Sequence, residues 1–472
     1  MKRATSPTTT TTTTKRICRL DVPSTLNEEQ QKLFDYVTGL EEFAPIFVSG
    51  SAGTGKSALL KALKKFWTEQ DKLVWVVSYT NLAARNVEGS TIHKQFGFDF
   101  QCQLRNNDRN LGAPNYLILD ELSMVPAMML DGISERLKQS TRLDMPFGGV
   151  NTIMFGDLYQ LPPISNAHSV QLPPYHAKVW PSLRLYELTT NMRQSESDFI
   201  EALNLLRVGN NACLNFFDKQ VVTSPISIED QVKCTSLVAT HREADLINAK
   251  CYAHVKKTQG DAVPEYLLQL NYKPESRNLH QVVYASSQEG LVFKDGLKYC
   301  VGTRVMITHN LKGVGFCNGD IGTVMSVNEK GLTVKREVDG FEDVVSMIEL
   351  AFETNVYKTV KLVTGLPMCY AWAVTIHKSQ GMTLKNLIVH PENIFAKGQA
   401  YVALSRVTHC EGLRLVSKIP IQCVMKMNKV EKVYKKQRKL NFTEEEDDNN
   451  NNDEDVEDYE SGGDDVYDYD TE

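Results

Sequence analysis

Apolar residues run together at Ile46-Phe47-Val48, stop at a glycine-rich turn, and resume with helical spacing in Ala58-Leu59-Leu60-Lys61-Ala62-Leu63. That pattern predicts a buried strand, a tight turn and a helix. A second strand-like run, Tyr116-Leu117-Ile118-Leu119, ends in two acids, Asp120-Glu121, and a third, Met154-Phe155, ends in Gly156-Asp157. Burial explains the apolar residues of such a run, and exposure at the strand's carboxyl edge explains the acids that close it. Leu130, Ile133 and Leu137 make one apolar helical stripe, and Gly148-Gly149 predicts a turn into the next strand. The pattern changes between Arg304 and Thr364. Asn318-Gly319, Lys330-Gly331 and Asp339-Gly340 are hairpin signals and Leu332-Thr333-Val334-Lys335 alternates, so this stretch predicts a small β-barrel. No apolar run approaches the roughly 20 residues of a membrane span.

The first strand-to-helix turn carries the chemistry. Gly50-Ser51-Ala52-Gly53-Thr54-Gly55-Lys56-Ser57 fits G-x-x-x-x-G-K-[ST], in which glycines turn backbone N–H groups inward and the helix N-terminus adds its positive dipole end. Lys56 is expected to reach the β- and γ-phosphates of ATP, and Ser57 to ligate Mg²⁺. Asp120 would hold that Mg²⁺ through its water shell, and Glu121 would orient and deprotonate an attacking water.

Composition narrows the setting. The chain has 472 residues, 42% of them hydrophobic and 8% aromatic, enough for two or three cores. Its net charge of −6 hides an asymmetry: residues 444–472 hold 16 acidic side chains and no basic ones, leaving 52 basic against 42 acidic over residues 1–443. A basic body favours a polyanionic partner, though ordinary solvation accounts for a charge of this size too. Residues 1–16, with Thr8 to Thr14 flanked by Lys2, Arg3, Lys15 and Arg16, lack a signal-peptide core and read as a disordered arm. Ten cysteines, scattered singly with no C-x-x-C pair, indicate a reducing compartment and no structural zinc. The nucleus is the expected location, with the cytoplasm as the alternative.

Later segments are specific enough to suggest a family. Met154 to Pro163 (MFGDLYQLPP), Leu188 to Gln194 (LTTNMRQ), Ala373 to Leu384 (AVTIHKSQGMTL) and Tyr401 to Thr408 (YVALSRVT) follow in that order. They resemble the motifs of superfamily-one helicases in the RecD and Pif branch. Leu130 to Leu137 with Pro146 to Val150 resembles the signature segment of the Pif (petite integration frequency) family. The likeness spans about Leu26 to Val416.

The resemblance implies an α/β fold with two RecA-like P-loop domains. Residues 24–187 would form the first core, with a strand-separating wedge near 98–112; residues 188–303 and 366–425 would form the second. Residues 304–365 would be an SH3-like insertion. Residues 1–23 and 444–472 would be a disordered arm and tail, with a basic segment, 426–443, before the tail. The implied catalytic set is Lys56, Asp120, Glu121, Gln160 as γ-phosphate sensor, and Arg193 and Arg406 as arginine fingers. Gln30 would read adenine or simply start a helix, with Asn27 standing where serine is usual, and Gln399 joins the nucleotide set. Thr80, Asn81, Thr91, His93, Thr375, His377, Lys378 and Ser379 match the strand-contacting motifs, Asn81 standing where glycine is frequent. Phe96 and Phe98 are open to base stacking or core packing.

The function expected is an ATP- and Mg²⁺-dependent DNA helicase travelling 5′→3′ on single strands and opening forks in replication, repair or recombination. An RNA helicase and an ATP-binding DNA scaffold are the alternatives. The lack of a His-x-His pair and of nuclease-sized extra sequence weighs against a relaxase or nuclease. The acidic tail reads as a solubilising extension, a competitor of DNA for the Lys426 to Lys439 cations, or a handle for a single-strand-binding or replication protein.

Overall fold

A computed structural model describes residues 26–99, 102, 104, 112–165, 170–260, 263–273, 292–311, 313–328, 331–354 and 359–442. The 1–23 arm, most of the 98–112 wedge and the 444–472 tail therefore lie outside the described residues. Among those described, no helix is long and apolar enough to cross a membrane.

The first sheet holds six strands: β1 (Ile46–Gly50), β2 (Val74–Ser78), β3 (Ser90–Thr91), β4 (Tyr116–Asp120), β5 (Asn151–Gly156) and β6 (Arg184–Leu188). Their order is β3-β2-β4-β5-β1-β6 and every pairing is parallel. Parallel sheets need cover on both faces, which is why β1, β4 and β5 are buried along their whole length. Ile46, Val48 and Ile118 share one core with Leu33 of α1 (Glu28–Thr38) and with Leu59, Leu60, Leu63 and Trp67 of α2 (Lys56–Glu69). Phe47, Leu117 and Leu119 face the opposite core. There they meet the Leu130, Ile133 and Leu137 stripe of a helix at Ala127–Thr141, as its spacing predicted. Phe96 and Phe98 are buried in this core, so packing accounts for both and neither is a base-stacking platform.

A second parallel sheet runs in the order Ala373–Thr375, Thr235–Val238, Leu387–Val389, Leu413–Leu415. Antiparallel strands occupy the stretch between its halves. Gly331–Arg336 pairs on one side with Ile321–Asn328 and on the other with Glu342–Val345 across the Asp339-Gly340 turn, where Gly340 has φ 69°. The strands do not stay inside 304–365: Met368–Tyr370 joins Arg304–Ile307, and Asn271–Lys273 joins Thr359–Gly365. Strand edges find partners far along the chain, which local periodicity does not encode.

Residues 426–442 correct the reading of a plain basic segment. The helix Asn428–Lys436 buries Val430 against the first core, and the chain then runs beside β6. There Leu185 N–H donates to Arg438 O at 2.8 Å and Leu440 N–H donates to Leu185 O at 2.8 Å. Lys435 pairs with Glu431 and Lys439 with Glu187, so these cations already face carboxylates. The segment is a strap that covers the edge strand of the sheet.

Candidate active site

Ligand sites of open parallel sheets form at the carboxyl ends of the strands. Here Gly50 ends β1, Asp120 ends β4, Asp157 follows β5 and Asn191 to Arg193 follow β6, so the predicted residues converge without special folding. Lys56, Ser57, Asp120, Glu121, Gln160 and Arg193 line a cleft of ≈170 Å³ together with Gly381 and Arg406 from the second half of the chain.

The phosphate loop has a reason for its glycines. Gly53 (φ 92°) and Gly55 (φ 76°) are left-handed, and a Cβ on Gly53 would sit 2.8 Å from Asn191 Oδ1. The loop is gripped from the segment after β6: Met192 N–H donates to Gly53 O at 2.7 Å, and Asn191 Nδ2 donates to Ala52 O at 3.2 Å. The Lys56 ammonium donates to Gly50 O at 2.6 Å and Ser51 O at 2.9 Å, curled onto its own loop. Burial lowers its pKa, with Asp157, Glu121 and Asp120 opposing.

Burial, and then the neighbouring charge of Glu121, push Asp120 up to about 7. A divalent cation would relieve that cost, and Ser57 stands exposed on the same lining. Among the described residues no group of three or more His, Cys, Asp or Glu could hold a metal. A cation here would take its remaining ligands from phosphates and water, the usual habit of Mg²⁺, so the donor set fits.

Glu121 has φ 55° and ψ 48°, a left-handed conformation uncommon outside glycine, and its carboxylate accepts from Gln380 Nε2 at 3.2 Å. Gln160 is 5% exposed, and its carboxamide oxygen has no hydrogen-bond partner among the described residues. Two cations close the cleft. Arg193 Nη1 donates to Ser405 O at 3.0 Å, and Arg406 Nε donates to Val402 O at 2.9 Å. Burial and the charge of Arg406 lower Arg193 to about 10, and burial lowers Arg406 as well. Two buried guanidiniums that hydrogen-bond no carboxylate among the described residues make a site built for an anion.

The other predicted residues lie outside the lining of this cleft. Asn27 and Gln30 form a capping box at α1, and Gln30 Nε2 donates to Thr54 O at 3.1 Å, so the glutamine both starts the helix and ties it to the loop. Gln399 is absent from the cleft lining; it is fully buried, and its carboxamide oxygen accepts from Phe395 N–H at 3.0 Å and Ala396 N–H at 3.2 Å. Thr80 and Thr91 cap the short helices α3 (Asn81–Asn86) and α4 (Ile92–Phe96). Ser379 turns its hydroxyl back to Ile376 O at 2.7 Å, and Thr375 is buried. Asn81 accepts from Asn310 Nδ2 at 2.9 Å, His93 packs on Tyr79, and the His377 ring lies 6.4 Å from that of Phe395. Lys378, on the His377 turn, is partly exposed.

Gln380, Asp157, Tyr401, Arg207 and Glu29 carry roles that sequence reasoning did not assign to them individually. Asp157 accepts from Arg207 Nη2 at 2.8 Å and from Tyr401 Oη at 3.1 Å, while Tyr401 Oη accepts from Ala52 N–H at 2.7 Å. Glu29 accepts from the backbone N–H groups of Thr189 and Thr190, at 2.9 and 3.1 Å. Asp157, Tyr401 and Gln380 sit inside the family-like motifs and Glu29 inside the Leu26 to Gln30 segment, which was the available signal; Arg207 had none.

Known proteins share this arrangement. The family model for PIF1-like helicases matches residues 25–212. The chain is 30% identical over 420 residues to ATP-dependent DNA helicase PIF1 of Danio rerio, covering 85% of this chain and 62% of that protein. It is 29% identical over 412 residues to ATP-dependent DNA helicase Pif1 of Bdellovibrio bacteriovorus, covering 83% and 88%. Its fold is similar to that of Bacteroides Pif1 bound to ssDNA, with a TM-score of 0.71 and 27% identity over 88% of this chain and 100% of that one. The Bacteroides Pif1 complex with ADP-AlF3 and ssDNA gives 0.70 and 28% over 87% and 97%. The chain spans only 58% and 62% of the lengths of its Xenopus laevis and Danio rerio relatives. With relatives matched along most of its length and a common fold, the chain belongs to the PIF1-like helicase family.

Proposed function

We propose that the chain is an ATP-hydrolysing DNA helicase that moves 5′→3′ along single-stranded DNA and opens forked duplex in replication, repair or recombination, in the nucleus. The observation that carries this reading is the meeting, in one cleft, of Lys56, Asp120, Glu121, Gln160 and Arg193 with Arg406 from the second half of the chain. The relatives of this chain, ATP-dependent DNA helicase PIF1 of Danio rerio and the Bacteroides Pif1 complex with ADP-AlF3 and ssDNA among them, support it.

In this reading residues 24–187 and 188–303 with 366–425 are two RecA-like cores, and the antiparallel sheets are an SH3-like insertion. Lys56 and the loop amides hold the phosphates of ATP, and Ser57 and Asp120 hold Mg²⁺, which when bound neutralises phosphate charge. Glu121, steadied by Gln380, takes the proton of the attacking water. Arg193 and Arg406 stabilise charge developing on the phosphoryl group, and Gln160 senses its presence. Opening and closing of the cleft moves the strand past Thr80, Asn81, Thr91, His93, Thr375, His377, Lys378 and Ser379. Thr80, Thr91 and Ser379 act mainly by shaping the backbone there, since their hydroxyls are engaged locally.

Glu121→Gln keeps size and hydrogen bonding but removes the base, and Lys56→Ala removes the phosphate contact. The first variant is expected to bind ATP normally and the second poorly, both with hydrolysis lowered at least ~10²-fold. Single-turnover hydrolysis by Glu121→Gln at the wild-type rate would exclude the assignment.

A further inference from the structure

The strap places an aromatic side chain behind the phosphate loop. Tyr434 Oη lies 2.6 Å from Ser49 Oγ, on the residue before Gly50, and accepts from Leu158 N–H at 3.3 Å. Its ring lies parallel to that of Tyr159, with centroids 5.4 Å apart and planes 4° apart. The Arg207 guanidinium stands 4.5 Å from the Tyr159 ring and 5.9 Å from the Tyr434 ring, and it holds Asp157 through Nε and Nη2 at 2.8 to 3.1 Å. Three parts of the chain meet in this stack: the turn after β5, the helix Ser197–Arg207 and the strap.

We propose that Tyr434 is a positioning residue for ATP hydrolysis. None of Tyr434, Tyr159 and Arg207 lines the cleft, so each acts through a neighbour that does or that holds one. Tyr434 anchors Ser49 at the entry to the loop, while Asp157, fixed by Arg207, reaches the loop's interior through Tyr401 and Ala52. Gln160 follows Tyr159 directly, and its N–H donates to Asp157 O at 2.9 Å. The stack therefore sets the γ-phosphate sensor and the phosphate loop in one register. The Arg207 guanidinium pairs with the Asp157 carboxylate and also caps the aromatic pair, so the ion pair and the stack hold each other in place. Burial of the Tyr434 phenol, which raises its pKa, agrees with a hydroxyl committed to these partners.

This inference rests on the ATPase reading above, and its test separates the two. Tyr434→Phe removes the hydroxyl and keeps the stack; Tyr434→Ala removes both. ATP hydrolysis on saturating single-stranded DNA, binding of a fluorescent ATP analogue and thermal melting would be measured for each, beside Lys56→Ala. Tyr434→Phe is expected to lose roughly 3–10-fold in kcat, the scale of one buried hydrogen bond, with analogue affinity and melting temperature near wild type. Tyr434→Ala is expected to lose more. A wild-type kcat for Tyr434→Phe would overturn the positioning role, as would a loss matched by an equal loss of affinity. If Lys56→Ala itself hydrolyses ATP normally, the ATPase reading fails instead. Should Tyr434→Ala not fold, Tyr434→Phe alone decides the matter.

Discussion

Asp120 combines a metal-holding role with a cost. Its carboxyl stands at about 7, against roughly 3.9 in an unfolded chain. Between those values the folded protein keeps a proton that the unfolded chain has released, so stability falls as pH rises through that window and stays lower above it. Asp120→Asn removes the titration. Without nucleotide or Mg²⁺, that variant is expected to melt ~3 °C or more above wild type at pH 8, with the gap shrinking at pH 5.5. Differential scanning calorimetry at both pH values checks this, and an equal gap at the two would contradict it. The residues of the loop and of the acidic pair were legible in the sequence because their chemistry is local: eight consecutive positions make a cradle, and two acids end an apolar run. Gln380 and Tyr434 were not, since each acts on a partner hundreds of positions away; Tyr434 and Ser49 are 385 residues apart. Thr80, Thr91 and Ser379 were legible only as motif members, because a hydroxyl that caps a helix and one that meets a phosphate look alike in a sequence.

Helix α3 joins two halves of the molecule. Asn86 Nδ2 donates to Gly381 O at 3.3 Å beside the cleft, and at the other side of the same helix Arg85 pairs with Asp320, next to the antiparallel sheet. The Asp320 side chain is fully buried and also receives Arg336 Nη1 at 3.2 Å. Removing the carboxylate leaves two guanidiniums close together, whereas removing Arg85 leaves Asp320 still paired. Asp320→Ala is expected to cost about 3–5 kcal/mol in unfolding, and Arg85→Met clearly less. Urea titrations of both variants check the order, and equal losses would contradict it. Apolar stripes made the helices and parallel strands readable, as Leu130, Ile133 and Leu137 illustrate. The turn at Asp339-Gly340 was readable from its φ requirement. The joining of Asn271–Lys273 and Met368–Tyr370 to the antiparallel sheets was not, because pairing between distant strands leaves no mark on local spacing.

At the scale of the whole molecule, two parallel sheets present their carboxyl ends to one cleft, and a C-terminal strap returns from the second to cover the edge of the first. In the mechanism proposed above, closing of that cleft would bring Arg406 toward the phosphate loop and shift the turns that carry Thr91, His93, Thr375 and His377. Such coupling makes hydrolysis a step along a strand, and non-specific contacts let the step repeat. A motor of this kind has a direction, and direction is the property that a scaffold or a motor of opposite polarity lacks. The most direct measurement is strand displacement with ATP and Mg²⁺ on two duplexes identical except for a 5′ or a 3′ single-stranded tail. Unwinding of the 5′-tailed duplex, abolished by Lys56→Ala, is the expected result; unwinding of the 3′-tailed duplex alone, or of neither, would contradict the proposed function.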